Sequence, residues 1–295
     1  MRPKTAIMVL LCSLLVIPAV FCLVAMVSAK GAEGASAVTR VLFGLTVVVE
    51  IVALVQAAAV RRMFSPSDRG HLTWTLIVAF FLVRLVGELR LITLTFEFVP
   101  TYREGDSAGS FFYVVVLRYL YTISDLLFIA ALVTTVQAYK STALKFELMG
   151  RDYGYIAFLW VIPAATYYFR TNLSLGGIIT ADNYIATYRL IAVFVGAIIG
   201  TFCVVVRRYA VQMGGGAVAK IWNTVVVAGI ARAASFLALA LFLKNWRYEA
   251  QFGEQCLLWI FAWCWLVAAL YQLEVFRYIV PAHAGAGGQV TLDRA

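Results

Sequence analysis

Apolar runs of about 20 residues or more, broken by very few charges, recur along the whole chain, and no other feature constrains its fold as strongly. A run of that length crosses the hydrocarbon core of a bilayer as a helix. Hydrocarbon in turn admits only elements that satisfy their own backbone hydrogen bonds, which leaves helices and closed barrels. Eight such stretches are read here: roughly 5–28, 38–60, 72–99, 110–139, 153–169, 182–206, 219–243 and 254–280. Of the 295 residues, 63% are hydrophobic and 13% charged, against about 25% charged in a soluble domain. A water-soluble fold of this size has nowhere to hide so much apolar surface.

The expected fold is therefore all-α, a polytopic transmembrane helical bundle of eight spans, seven plus one N-terminal. It forms one domain over 1–280, followed by a short flexible tail, 281–295, rich in Ala and Gly. The fifth stretch is the shortest and carries Pro163, which removes a backbone donor and would kink a helix. It is counted as a span because Arg151 and Arg170 flank it.

Orientation follows from the basic residues, which concentrate in cytoplasmic loops. With both termini cytoplasmic, 13 of the 24 basic residues fall inside, among them Arg61, Arg62, Arg207 and Arg208, and 6 outside; the remaining five lie within spans. The net charge of +9 is mainly this bias, and it implies contact with anionic lipid rather than nucleic acid. The first stretch resembles a signal peptide in its basic start and its Val27-Ser28-Ala29 end. Its apolar part, Ile7 to Val27, exceeds the usual 7–15 residues, so a retained helix is expected. Cleavage would leave seven spans and an external N-terminus.

The sparse residue types exclude several chemistries. The two histidines, His71 and His283, lie outside the apolar centres, so paired-histidine haem and an intramembrane HExxH zinc site are not expected. The five cysteines show no CxxC spacing and read as small apolar side chains. Ser124 has no histidine or lysine base within a span, and Asp125 lacks the second central Asp of an intramembrane aspartyl protease. No cofactor, metal or enzymatic reaction is expected.

Ionisable residues inside the spans carry the functional argument, because such a side chain is costly in hydrocarbon and faces the bundle interior or a water-filled cavity. Arg84 and Glu88 stand at i and i+4 on one helical face and are expected to form a structural ion pair. Losing Glu88 would then strand Arg84. Arg118 and Asp125 are seven residues apart on one face with Tyr121 between them, about 10 Å along the axis, so each needs a partner elsewhere. Glu50, Arg90, Arg189 and Arg232 complete the set: five cations against three carboxylates, which leaves two arginines to find water, carbonyls, phosphate or an anionic ligand.

From the second stretch onward the order of features resembles the orphan seven-helix integral membrane proteins of fungi. The resemblance rests on Trp74 leading to Arg84-Leu85-Val86-Gly87 and on a later central Arg232. It implies lipid handling or sensing, without catalytic residues to carry over.

These readings converge on a non-enzymatic multi-pass membrane protein of the plasma membrane or an endomembrane. Its outward cavity, lined by Arg118, Arg189 and Arg232 with Asp125, Tyr121 and Tyr188, is expected to bind an anionic small molecule or lipid headgroup for transport or sensing. Alternatives are a receptor-like signalling protein with a cytoplasmic partner on loops 140–152 and 207–220, or a subunit of a larger membrane complex. Small residues at Gly196, Gly200, Gly229 and Ala233 suit close helix contact, either within the chain or in a homodimer.

Overall fold

A computed structural model of the chain describes residues 31–95, 108–140, 147–172, 181–212, 217–241 and 247–284. These form seven helices: α1 Gly31–Arg61, α2 Arg69–Thr95, α3 Ala108–Lys140, α4 Gly150–Asn172, α5 Ala181–Gln212, α6 Ala217–Leu241 and α7 Arg247–Ala284. Among the described residues there is no strand. Among the described residues, five helices, α1, α2, α3, α5 and α7, are long and apolar enough to cross a membrane. The first apolar stretch, 5–28, lies outside the described residues. The fifth and seventh stretches fold as α4 and α6. Tyr153, Gly154, Tyr155 and Pro163 dilute the apolar character of α4. The C-terminal helix continues to Ala284, four residues into the segment expected as a flexible tail, with Pro281 in its last turn.

The ends of the helices are set by local chemistry. Between α1 and α2, the backbone N–H of Ser65 donates to Asp68 Oδ2 at 3.1 Å, and that of Asp68 to the Ser65 carbonyl at 2.9 Å. Asp68 thus stands at the position before α2 where a carboxylate favours the positive helix start. Ahead of α4, the Met149 N–H donates to Asp152 Oδ2 and the Asp152 N–H to the Met149 carbonyl, both at 2.8 Å, a reciprocal arrangement that satisfies two donors of the first turn. Arg208 of α5 donates to the Glu147 carbonyl at 2.9 Å and ties this cap to the neighbouring helix.

Neighbour packing closes a ring. The helix α1 lies beside α2, α2 beside α3, α3 beside α5, α5 beside α6, α6 beside α7, and α7 returns against α1, while α4 is held by α5. The ring is filled by aromatic side chains. Phe80 and Phe81 of α2, Phe128 of α3, and Phe261 and Trp265 of α7 meet mostly edge to face, with centroids 4.9–6.2 Å apart.

The outward surface is apolar as well. Val41, Val48 and Val55 of α1, Leu82 and Val86 of α2, Leu126 of α3 and Phe158 of α4 are all more than half exposed. In water a surface of this kind is an aggregation hazard; against lipid tails it is the matching face. Since lipid is as apolar as the helix interiors, packing and interhelical hydrogen bonds hold such a bundle together. Two such bonds are Thr73 Oγ1 to Thr134 Oγ1 at 3.0 Å between α2 and α3, and Trp160 Nε1 donating to Thr201 Oγ1 at 3.1 Å between α4 and α5. The chain is thus a helical protein compatible with integral membrane placement.

Contacts fix the relative register of three helices. Asp125 and Tyr139 of α3 meet Arg232 and Trp222 of α6, so those two helices run antiparallel. A Cβ on Gly196 of α5 would meet Ala233 of α6, and one on Gly229 would meet Cys203 of α5, so that pair is antiparallel too. It follows that α3 and α5 run parallel. The small residues are used within the chain: Gly196 and Gly229 bring α5 and α6 together, and Gly200 faces Leu159 of α4.

Candidate functional site

Two charged assemblies occupy the interior. In the first, Arg84 of α2 is clasped by two glutamates. Its Nε donates to Glu50 Oε1 of α1 at 2.7 Å, and its Nη2 stands 2.9 Å from Glu88 Oε1, one turn along its own helix. All three side chains are buried, at 1%, 0% and 3% relative exposure for Arg84, Glu50 and Glu88. The Tyr121 ring of α3 and the Phe261 ring of α7 lie 5.7 and 5.8 Å from the guanidinium carbon, within the range of cation–π attraction. Gly87 leaves room for this arrangement, since a Cβ there would already touch the Tyr121 ring at 3.4 Å.

In the second assembly, Arg232 of α6 meets Asp125 of α3 in a bidentate pair, Nε to Oδ1 at 3.0 Å and Nη2 to Oδ2 at 2.9 Å. The planar fork matches the carboxylate, which makes this the strong form of an ion pair. The Phe236 ring, one turn along α6, lies 4.1 Å from the Arg232 guanidinium carbon. Beside it, Ser235 donates to the Arg232 carbonyl and Ser124 to the Tyr121 carbonyl.

Of the residues singled out from sequence, the structure brings together Arg84 with Glu88, and Asp125 with Arg232, and sets Tyr121 over Arg84. The side chains of Arg90, Arg118, Tyr188 and Arg189 lie outside the described residues, although their backbone positions on α2, α3 and α5 are described. The interhelical partner Glu50 was visible in sequence only as one more intramembrane charge. Glu254 of α7 escaped the sequence reading altogether, because it falls at the edge of its apolar stretch. It lies inside the membrane-compatible part of α7, Phe252–Phe276, within electrostatic reach of Glu88. Residues one turn inside a span boundary are the signal that would have found it.

No family model, curated protein or solved structure matches this chain. The arrangement must be interpreted by its own chemistry. Three carboxylates and two guanidiniums are joined at the described centre, so both arginines there are already neutralised from within the bundle. Their first role is to link helices: α1 to α2, and α3 to α6. Cys203 and Cys264 are thiols outside any disulfide.

Proposed function

We propose that this chain is a non-enzymatic multi-pass membrane protein that binds an anionic small molecule or lipid headgroup, for transport or sensing, at the Arg118 and Arg189 end of its bundle. One observation supports the reading above others: the parallel register of α3 and α5. Arg118 precedes Asp125 by seven residues and Arg189 precedes Gly196 by seven, and Asp125 and Gly196 meet adjacent residues of α6, Arg232 and Ala233. Seven residues are two turns, about 10 Å, and return to nearly the same helix face. The two arginine positions therefore share one level, on the faces of α3 and α5 that turn toward α6. Arg232 and Asp125 neutralise each other, and a phosphate or carboxylate from outside the chain is the counter-charge proposed for Arg118 and Arg189. Arg232, Asp125 and Tyr121 then position the helices beneath the ligand, and Tyr188, next to Arg189 in sequence, is proposed as a further ligand-binding residue. The resemblance to orphan seven-helix membrane proteins of fungi, resting on Trp74, Arg84-Leu85-Val86-Gly87 and Arg232, belongs to the same proposal.

The test is to purify Arg118→Gln and Arg189→Gln variants from native membranes and to measure co-purifying anionic phospholipid by mass spectrometry beside thermal unfolding. The expected result is lost lipid with an unchanged unfolding midpoint. A fall in midpoint with constant lipid assigns both arginines to the structural network and overturns the proposal.

A further inference from the structure

The Glu50–Arg84–Glu88 assembly does not balance. Two carboxylates meet one guanidinium, and each uses one oxygen only: Glu50 Oε2 and Glu88 Oε2 are enclosed and have no hydrogen-bond partner among the described residues. Arg84 Nη1 is likewise enclosed without a partner there. With every group ionised the assembly carries one net negative charge, whereas Asp125 with Arg232 carries none. Among the described residues, the surroundings do not supply the missing charge. From α3 comes the Tyr121 ring, from α7 the Phe261 ring, and Glu254 of α7 adds a further negative charge at longer range. Arg232 of α6 acts on Glu88 from a distance but is committed to Asp125. Along α1 and α2 the neighbouring contact is apolar, formed by Phe43, Val47 and Leu85. A lone uncompensated charge among such groups is strongly disfavoured, and a divalent ion would leave the opposite excess.

We propose that the Glu50–Arg84–Glu88 assembly binds one compact monovalent cation, a proton or a sodium ion, at its free carboxylate oxygens. The occupied assembly is neutral. Occupancy thereby decides how tightly α1 and α2 are clasped, a property independent of any anion bound near Arg118 and Arg189.

The experiment uses the full chain in nanodiscs of neutral lipid. Thermal unfolding is followed while sodium replaces potassium at constant ionic strength and pH. In sodium-free buffer, the infrared spectrum is examined for the carbonyl band of a protonated carboxyl group. Sodium binding is expected to raise the midpoint by about 3 °C per tenfold increase in sodium; proton binding is expected to give the carboxyl band and no sodium response. Whichever signal the native chain shows should vanish in Glu88→Gln and in Glu50→Gln, each of which leaves Arg84 with one carboxylate and no excess charge. Absence of both signals in the native chain overturns the proposal, as does survival of the signal in either variant. The native measurements decide the matter even if one variant fails to fold.

Discussion

At the scale of single residues, Arg84 and Glu88 differ sharply in what their removal leaves behind. Replacing Arg84 with Gln leaves Glu50 and Glu88 buried and facing each other without a counter-charge, and stability is expected to fall by about 3–5 kcal/mol. Glu88→Gln leaves a one-to-one pair of Arg84 with Glu50, and the change is expected to stay within about 1 kcal/mol. Unfolding in detergent, monitored by circular dichroism, compares the two; a Glu88→Gln variant as unstable as Arg84→Gln would show that Glu50 does not hold the guanidinium alone. The spacing of Arg84 and Glu88 is legible in the sequence because a helix converts four residues into one turn. Glu50 lies 34 positions away, and no local rule announces which of several intramembrane cations it will meet. The same holds for Asp125 and Arg232, recognisable separately as charges in need of partners and joined only when the folded bundle brings their side chains together.

Element by element, the helices were readable from length and hydropathy, and their neighbours were not. The small residues of α5 and α6 suited either an internal contact or a homodimer on sequence grounds, since both need the same close backbone approach. The structure uses them internally. At Gly229 a Cβ would collide with the sulfur of the buried Cys203, so Gly229→Ala must displace that side chain or part the two helices. A loss of about 1–3 kcal/mol is expected. The double variant with Cys203→Ala, which removes the obstructing sulfur, should recover most of that loss in the same unfolding measurement. No recovery would place the strain elsewhere on α6. Pro163 marks α4 for a kink in the sequence, yet the helix runs unbroken from Gly150 to Asn172, its start fixed by the Asp152 cap and its middle tied by Trp160 to Thr201 of α5.

For the molecule as a whole, composition declared the environment, and the structure agrees in its distribution of side chains, with charges joined inside and aliphatic groups outside. Which end faces which compartment rests on the Lys and Arg asymmetry alone. A cysteine introduced in the link between α1 and α2, beside Arg62, is expected to react with an impermeant thiol reagent only after the membrane is opened, whereas one in segment 100–107 should react in intact cells. The reverse pattern would invert the orientation.

The two charged assemblies also differ in when they can form. Glu50, Arg84 and Glu88 belong to consecutive helices, so their union is available as soon as α2 has left the ribosome. Asp125 waits for a residue 107 positions later, and the ring waits longer still, since among the described helices α1 receives its second neighbour from α7. While those 107 residues are made, the nascent chain carries a lone carboxylate on α3 and an unsealed flank on α1, two marks of an unfinished bundle.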